Sequence, residues 1–572
     1  MKNKFFSKIS SVVLAVCTAV VTCSCGSQSN KKPEDKSSNA NFKASDYILD
    51  KSVSDTPKIL DGFNFWVQTV TVDNKNLLLL KKSVKEHKIG SINSGLAIKG
   101  AEEWGFGFHH LNGQTDGVGR MIRSDFSTTP VDRADALGQM LKWISRQYDI
   151  SDGDKWHSMT GFYFYQHYAA EKGATEIGCE IGEGISSFQQ HIAFTRGAGR
   201  QYKRPWYIDF SMWNYGFCYY PENNSPYGER GGPEYGSALN LLERAAVMSY
   251  MSGANMFLAE AGGAFSLLNE LGSDGLYKVS PYGEVCRKFY KFTNEHSDRG
   301  TNYTPFAIAL DYYHGMDGGW TDYTTTDKAF TVFDYNDGDR FTDAVLDIFY
   351  SDTRDIFWCG PYTPSREKNK MRNDRKADSV DVVLQNASKE VLSSYPCVIL
   401  SGDIKFSDAE KKNYQAYVKD GGCLVMNTAY LNKFPDYKAK YDGKSRCEFK
   451  DGKGSVIIFG KDFDATELKA IVEEKLDELY PVTVSENVQQ ILSVKDNTLY
   501  VTLINNEGIY KEGNKPTVVD ESKAKSCKVT FKGKQNIKSV KEIYNGYDTK
   551  LSGKDISITL PAGGIAIIEM NF

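Results

Sequence analysis

The chain has 572 residues, with 69 basic and 73 acidic side chains and a formal net charge of −4. This length suggests about three or four domains. The basic residues do not cluster along the sequence, and the balanced charge argues against nucleic acid as a partner. The 11 cysteines show no C-x-x-C or similar metal-ligand spacing. We therefore expect few or no disulfides, no metal site and no cofactor.

Residues 1–25 predict an export signal. Three lysines precede an apolar segment, Val12–Val21, that is too short for a stable membrane span. The segment ends in VVTCSCGS, which resembles a bacterial lipoprotein signal with Cys25, or alternatively Cys23, as the lipidated residue. An ordinary secretory signal is the other alternative. Residues 26–56 begin with a long polar stretch typical of a flexible tether, so we expect an extracytoplasmic protein anchored to the membrane by lipid.

The stretch 174–213 is the most informative part of the chain. ATEIGCEIGE and WYIDFSMW both alternate in polarity, and alternation is the period of a strand. Between them, residues 185–202 carry apolar residues at helical spacing and predict an amphipathic helix. Strand, helix and strand form a parallel crossover unit, which is the building block of α/β folds.

Alternation also assigns faces to these two strands. One face is large and apolar, whereas Gly178, Glu180 and Gly182 share the other face of the first strand. Strands and helices alternate over residues 57–300, a length typical of a (β/α)8 TIM barrel. In such a barrel Glu180 and Asp209 would point inward near the carboxyl ends of neighbouring strands. Glycoside hydrolysis requires at least two carboxylates that face one cavity.

Further polar residues near predicted strand ends are candidate substrate contacts. Glu260 closes the strand MFLAE before two glycines, where it is either functional or paired with an arginine. Glu183 precedes the central helix and either binds substrate or complements the helix dipole. The other candidates, which fit hydrogen bonds or stacking with a sugar, are His110, Asn112, His157 and Trp213.

Two more domains are expected after the barrel. Continuous apolar strands alternate with helices over residues 301–482, which predicts a doubly wound parallel sheet buried on both faces. One helix of this region starts with a capping box formed by Ser407 and Glu410. Residues 483–572 contain short alternating strands separated by turns, a pattern typical of a small antiparallel β-sandwich. We identify no site residues in these two regions.

This order of parts resembles the family 42 β-galactosidases and related clan A glycoside hydrolases. The resemblance lies in RPWYIDFSMWNYG, in MSYMSGANMFLAEAG, in FAIALDYY at the start of the middle domain and in the ending LPAGGIAIIEM. It implies a TIM barrel, a flavodoxin-like (glutamine-amidotransferase-like, non-catalytic) middle domain and a C-terminal β domain. It also implies a retaining mechanism and homo-oligomerisation through the middle domain.

The resemblance places Asp209 where the family has its nucleophile and Glu260 at a substrate-contacting position. The chain departs from the family at both carboxylates of the pair. The family nucleophile is Glu, one methylene longer than Asp. The family acid/base is the Glu of an Asn-Glu pair on the fourth strand, whereas Glu180 follows a cysteine on a later strand. Altered chemistry, or none, is therefore an alternative.

Two hypotheses follow from the sequence. The first is a surface-anchored, β-galactosidase-like glycoside hydrolase acting on an oligo- or polysaccharide. Glu180 would be the general acid/base, kept protonated by its apolar setting, Asp209 the nucleophile or charge stabiliser, and Glu260 a substitute for either. The second is a non-catalytic carbohydrate-binding lipoprotein. A catalytic pair should be about 5–5.5 Å apart for retention or about 6.5–9.5 Å for inversion, and a wider spread favours binding.

Overall fold

The protein is described by a computed structural model over residues 64–68, 74–89, 91–93, 130–150, 157–160, 164–182, 187–212, 237–260, 268–315, 328–330, 333–351, 370–460, 465–511 and 515–572. Within these ranges the chain is mixed α/β, with two six-stranded sheets, a four-stranded and a five-stranded sheet, and short two-stranded ladders. No helix in the described ranges combines the length and the apolar character needed to cross a membrane.

The first sheet is parallel at every described strand pair. Its strands are β1 (Asn64–Gln68), β2 (Ser91–Asn93), β3 (His157–Thr160), β4 (Glu176–Gly182), β5 (Trp206–Ser211) and β6 (Met256–Glu260). The strand order is β2-β1-β6-β5-β4-β3. The last strand thus pairs with the first, so the order is cyclic except between β2 and β3. Most of the segment that joins those two strands lies outside the described residues.

Helices connect and flank these strands. They are α1 (Asn74–Glu86), α2 (Arg133–Ile150), α3 (Gln166–Glu171), α4 (Phe188–Tyr202), α5 (Leu239–Met251) and α6 (Pro281–Glu295). The strand, helix and strand predicted for 174–213 are present as β4, α4 and β5. Helix α4 differs from the prediction in one respect, because its polar residues are buried along with its apolar ones from Phe188 to Arg200.

Short strands lead from the first sheet into the second. A two-stranded ladder joins β7 (Leu268–Leu271) to β8 (Tyr277–Val279), and β9 (Thr301–Tyr303) follows α6. The next strands are β10 (Phe306–Leu310), β11 (Lys328–Ala329), β12 (Phe333–Asp334), β13 (Val380–Leu384), β14 (Cys397–Ser401), β15 (Cys423–Asn427), β16 (Arg446–Asp451) and β17 (Gly454–Phe459).

The second sheet has the order β13-β10-β14-β15-β17-β16, with only β16 antiparallel. Counting its five parallel strands along the chain gives the order 2-1-3-4-5, which is that of flavodoxin-type sheets. The accompanying helices are α7 (Asp337–Tyr350), α8 (Lys389–Leu392), α9 (Asp408–Asp420), α10 (Pro435–Lys438) and α11 (Ala465–Leu479). The predicted capping box of Ser407 and Glu410 is confirmed at the start of α9.

The C-terminal strands form two antiparallel sheets. They are β18 (Val482–Val484), β19 (Gln489–Lys495), β20 (Thr498–Ile504), β21 (Ile509–Tyr510), β22 (Val518–Val519), β23 (Lys525–Phe531), β24 (Ser539–Glu542), β25 (Lys550–Ser552), β26 (Asp555–Leu560) and β27 (Ile565–Asn571). The sheets have the orders β18-β23-β26-β25 and β24-β27-β20-β19-β9. Strand β9 therefore belongs to a C-terminal sheet, although the sequence assigned residues 301–482 to the middle region.

Helix α4 covers the edge strand β13 of the second sheet. Gly197 makes this possible, because a Cβ atom there would lie 1.9 Å from the Val382 carbonyl oxygen. Side chains satisfy the outward backbone groups of the strand. His167 Nε2 donates to the Val382 carbonyl at 2.8 Å, and Gln201 Oε1 accepts from the Leu384 amide at 2.8 Å. These contacts cover an edge strand that could otherwise pair with a strand of another molecule.

A buried charge cluster lies under the same helix. Arg196 Nε donates to Asp381 Oδ1 at 2.6 Å, Arg200 donates to Oδ2, and the Tyr395 hydroxyl donates to Oδ2 at 2.9 Å. Asp381 and both arginines are almost wholly buried. Burial opposes ionisation of Asp381, but the two guanidinium groups hold the pKa of its carboxyl below its usual value.

A second buried carboxyl, Asp378, makes the stability of the fold dependent on pH. It accepts from Gln189 Nε2 of α4 at 2.8 Å and from Gln489 Nε2 of β19 at 3.2 Å. Burial raises its pKa to about 7, against the opposing effects of these amides and of Arg196. The folded chain therefore keeps a proton that the unfolded chain releases near pH 3.9, roughly the pKa of a free Asp.

Stability contributed by this proton should be lost as the pH rises from about 4 to about 7, by up to about 1.4 kcal/mol per pH unit. Asp378→Asn removes the titration, so we expect its urea midpoint to fall less than that of the wild type between about pH 5 and pH 8. The exposed Asp436→Asn is the control and should follow the wild type. Equal slopes for Asp378→Asn and wild type would contradict the assignment.

Candidate active site

Glu180 and Asp209 occupy adjacent positions on neighbouring parallel strands. The register pairs Glu180 of β4 with Asp209 of β5, and the flanking pairs are Gly178 with Tyr207 and Gly182 with Ser211. Residues paired in register lie on the same face of a pleated sheet. Strands β4 and β5 thus place two acidic residues in one row on one face.

The opposite face of these strands is apolar and packs against the helices. Its residues are fully buried members of the main hydrophobic cluster: Ile177, Cys179, Ile181, Trp206, Ile208 and Phe210. The period of the strand decides which residues turn to this face. A shift of the strand register by one residue would turn the acids towards the hydrophobic core. The register of the acidic row is therefore specified by the apolar row behind it.

Two glycines shape the polar face on either side of Glu180. A Cβ atom at Gly178 would lie 2.4 Å from the ring of Tyr207, so the ring packs directly over the backbone of β4. Gly182 has φ of +151°, and a Cβ atom there would lie 2.1 Å from the Ser211 carbonyl oxygen. Both positions exclude a side chain, which leaves Glu180 as the side chain that β4 presents between residues 178 and 182.

Tyr207 interacts electrostatically with a carboxylate on each of the two strands, Glu176 on β4 and Asp209 on β5. It is fully buried, and burial raises its pKa well above the usual value, with the charges of Glu176 and Asp209 acting in the same direction. Glu176 lies on the same face of β4 as Glu180, at the start of the strand, and is nearly buried. The Tyr207 hydroxyl therefore stays neutral and is suited to hydrogen bonding.

The two acids differ in exposure. Glu180 is partly exposed, whereas Asp209 is 0% exposed. Both carboxylates also affect Cys179. Burial is the main cause that raises the pKa of Cys179 to about 12, and the charges of Asp209 and Glu180 contribute to that increase. Glu180 is thus the acid that can meet a substrate from solvent, and Asp209 lies beside it in a buried position.

The third predicted acid, Glu260, ends strand β6. The register sets it beside Ser211, two residues further along the sheet than Asp209, whose partner on β6 is Leu258. From the strand spacing and rise, the Cα atoms of Asp209 and Glu260 are roughly 8 Å apart. The backbone of Glu260 therefore lies at the carboxyl edge of the same part of the sheet. Its side chain lies outside the described atoms.

His157 occupies a different end of the sheet from the acidic row. It is the first residue of β3 and pairs with Glu176, at the amino edge. Four residues of strand, about 13 Å, separate that position from the row of Glu180. The backbone of His157 therefore lies apart from that of Glu180 and Asp209. The remaining predicted residues lie outside the described ranges: Glu183, His110, Asn112, Trp213, Cys23 and Cys25.

Two residues of the polar face were not among the predicted site residues. Glu176 and Tyr207 fall on the face that alternation assigns, since they are separated by even numbers from Glu180 and Asp209. The alternation in the sequence already places Tyr207 on the face of Asp209, and one further step towards the start of β4 adds Glu176. The contact between the ring of Tyr207 and Gly178 needed the register, which no local pattern supplies.

Basic residues that are scattered along the sequence come together in the fold. A groove of about 940 Å³ between α1 and α6 is lined by five basic residues and two acidic ones among others: Lys85, Lys88, Arg287, Lys288, Lys291, Glu284 and Glu295. Arg287 pairs with Glu284, and Lys288 pairs with Glu243 at 2.6 Å. The described residues that line the groove include neither Glu180 nor Asp209, and we assign the groove no role.

Metal ligation has no candidate among the described residues, which contain no group of three or more His, Cys, Asp or Glu side chains arranged to hold an ion. The six described cysteines are free thiols: Cys179, Cys286, Cys397, Cys423, Cys447 and Cys527. The described polar face of β4 and β5 presents carboxyl, phenol and hydroxyl groups, which suit proton transfer and charge stabilisation.

Comparison with known proteins returned glycoside hydrolases among the solved structures. A catalytic mutant of a GH42 β-galactosidase from G. stearothermophilus is 12% identical over 77% of this chain and 68% of its own, with a TM-score of 0.43. A β-galactosidase from Bacillus circulans sp. alkalophilus is 13% identical over 77% and 67%, with a TM-score of 0.44. An α-L-fucosidase from Paenibacillus thiaminolyticus is 11% identical over 77% and 72%, with a TM-score of 0.44.

No protein-family model matches the chain, and no curated protein matches it either. The structural neighbours share too little sequence, and superpose too loosely, to establish a family for this chain. What they have in common is that their names describe glycosidases.

Proposed function

We propose that the protein is a glycoside hydrolase that uses Glu180 and Asp209 as its pair of carboxylates. The observation that carries the proposal is the register of β4 and β5, which sets the two acids side by side on the polar face of a parallel sheet. Glycoside hydrolysis needs one carboxyl group to donate a proton and a second to stabilise or attack the anomeric carbon. The partly exposed Glu180 fits the first role, and Asp209 fits the second.

A retaining mechanism is part of the proposal because the sequence resemblance to the family 42 β-galactosidases implies it. Retention requires the two carboxyl groups to be about 5–5.5 Å apart, and inversion requires about 6.5–9.5 Å. In the first step Glu180 protonates the leaving oxygen while Asp209 attacks the anomeric carbon or stabilises its positive charge. In the second step Glu180 takes a proton from water and the water oxygen bonds to the anomeric carbon, while any bond from Asp209 to that carbon breaks and frees the carboxylate.

The proposal extends to the architecture around the pair. The cyclic strand order of the first sheet supports a TIM barrel, and the 2-1-3-4-5 order of the second supports a flavodoxin-like middle domain. The two C-terminal antiparallel sheets support a β-sandwich. Glu180, Asp209 and Glu260 would then lie at the barrel mouth, within about 10 Å of one another, the outer limit for cooperating carboxyls.

A panel of aryl glycosides and polysaccharides tests the proposed activity. We expect the wild-type chain to release product from at least one β-glycoside, with β-galactosides as the first to be tried. Following the anomer of the first-formed product by NMR distinguishes retention from inversion. Inversion would contradict the roles given to Glu180 and Asp209, because it needs a water between the two carboxyl groups.

The burial of Asp209 favours a second candidate function. A nucleophile must touch the anomeric carbon, and a side chain with 0% exposure meets that need only after a rearrangement. A non-catalytic carbohydrate-binding protein has no such requirement, because Glu180 and neighbouring polar groups are enough to hydrogen-bond a sugar. Binding of an oligosaccharide by calorimetry, with no product after long incubation, would select this function over hydrolysis.

We also propose that the chain is a lipid-anchored protein outside the cytoplasmic membrane, from the sequence VVTCSCGS and the polar stretch that follows. Replacing Cys23 and Cys25 together with Ser removes both candidate lipidation sites. We expect the variant to move from the membrane fraction to the soluble fraction, since no other anchor is proposed. Cys17→Ser is the control and should stay with the membrane. A double variant that remains in the membrane fraction would disprove lipid anchoring.

A further inference from the structure

Two cysteines lie side by side at the amino edge of the second sheet. Cys397 is the first residue of β14 and Cys423 the first of β15, and the parallel register pairs them directly. The Cys423 amide donates to the Pro396 carbonyl at 2.9 Å, which fixes the starts of both strands next to each other. Strands about 4.8 Å apart fall within the roughly 4.4–6.8 Å that the Cα atoms of a disulfide span.

The two thiols share a face of the sheet. Residues paired in register point to the same side, so the side chains of Cys397 and Cys423 are neighbours. Both are reduced. They differ in access, because Cys397 is 0% exposed and Cys423 is 9% exposed. Cys423 is therefore the more accessible residue of the pair.

The surroundings of the pair assign different roles to the two sulfurs. The hydrogen bond with Cys397 outweighs burial and lowers the pKa of Cys423, and Ser455 and Lys475 act in the same direction. The same hydrogen bond, together with burial, raises the pKa of Cys397 well above its usual value. The thiolate is the nucleophile in disulfide exchange. Because Cys423 is the more exposed of the two and Lys475 lowers the pKa of its thiol, we take Cys423 as the attacking sulfur.

We propose that Cys397 and Cys423 form a modification site that is oxidised to an intramolecular disulfide by a small-molecule disulfide. The Cys423 thiolate attacks one sulfur of the small disulfide, and a mixed disulfide forms as one small thiolate leaves with the proton that Cys423 gave up. Cys397 then loses its proton and attacks the Cys423 sulfur, and the second small thiol leaves. The protein loses two hydrogens, and the two small thiols carry them.

The cross-link would tie the starts of β14 and β15 together and close the loop that contains α9. A disulfide stabilises a fold mainly by restricting the unfolded chain, so we expect the oxidised form to have the higher Tm. Disulfides persist outside the cytoplasm, which is where the proposed lipid anchor would hold the chain. The exchange chemistry itself depends only on the two side chains and can be tested independently of that location and of any glycosidase activity.

The test exposes the purified, reduced, full chain to oxidised glutathione. Thiols are counted after unfolding, and peptides are mapped by mass spectrometry. We expect a loss of two thiols from the pair, a peptide that joins Cys397 to Cys423, no glutathione retained on either, and a Tm raised by several degrees. An unchanged thiol count at both residues, or a glutathione adduct that persists on wild-type Cys423, would overturn the proposal.

Single variants separate the two sulfurs. Cys397→Ser should trap one glutathione on Cys423, because the resolving thiol is gone, and Cys423→Ser should leave Cys397 unmodified. Cys447→Ser on β16 is the matched control, since this buried cysteine belongs to the same sheet, and it should form the cross-link as the wild type does. If a variant fails to fold, the wild-type peptide map still decides. Equal modification of Cys397 in the presence and absence of Cys423 would contradict the proposed order.

Discussion

On a natural glycoside that the wild-type chain cleaves, Glu180→Gln is expected to lower kcat/KM by about 10²–10⁴-fold, the usual contribution of a general acid. Gln keeps the size and hydrogen-bonding capacity of Glu but cannot donate the proton that the leaving oxygen needs. An aryl glycoside with a good leaving group needs little protonation, so its loss should be much smaller. The measurement is kcat/KM for both substrates with wild type and variant.

Two further variants make this result specific to the acidic row. Asp209→Asn should damage both substrates alike, because charge stabilisation is needed whichever group leaves. Glu176→Gln is the matched control: it lies on the same strand and the same face, four residues towards the amino edge, and should stay near wild type. If Glu180→Gln and Asp209→Asn both retain full activity, the assignment fails, and Glu183 with Glu260 becomes the next pair to test.

The local part of this site could be predicted from the sequence because strands have a period of two. Alternation alone put Glu180 and Asp209 on the faces opposite Ile181 and Phe210, and the structure shows the apolar faces buried. Alternation does not contain the register, so the pairing of Glu180 with Asp209 rather than with a neighbour had to come from the fold. The same holds for His157, which was predicted to open its strand but whose pairing with Glu176 had to come from the fold.

Long-range packing explains where the sequence interpretation was incomplete. Helix α4 looked amphipathic, but it is packed against the second sheet as well as the first, so Arg196 and Arg200 are buried. Strand β9 precedes the second sheet in the chain yet pairs with β19, nearly 200 residues later. Contacts between residues so far apart in the chain produce no pattern within a short stretch of sequence. The capping box of α9 is formed by residues three positions apart, and it was predicted.

The second large effect is expected in stability, from Asp381→Asn. Asp381 accepts hydrogen bonds from Arg196 and Arg200, which are 1% and 2% exposed. Asn has one oxygen in place of two, so its amide nitrogen would face a guanidinium that also donates. Removing one partner of a buried ion pair costs about 3–5 kcal/mol, because the remaining charge is left without compensation. Here two arginines lose their shared counter-ion, so we expect the upper part of that range, measured as a lower urea midpoint and a lower soluble yield.

Comparison variants distinguish loss of the counter-ion from a general sensitivity of the fold to the loss of an acid. Asp477→Asn removes an exposed partner of Arg375, and such surface pairs are worth at most about 1 kcal/mol. Tyr395→Phe removes one hydrogen bond from a neutral hydroxyl to the Asp381 carboxylate, which costs about 1.5–3 kcal/mol and leaves the charge pairs intact. Joint replacement of Asp381, Arg196 and Arg200 by apolar residues of similar size should recover much of the stability, since no buried charge remains. If Asp381→Asn is no worse than Tyr395→Phe, the arginines do not depend on Asp381 for compensation. Helix α4 is then held on β13 mainly by the backbone contact at Gly197 and the hydrogen bond from the Leu384 amide to Gln201.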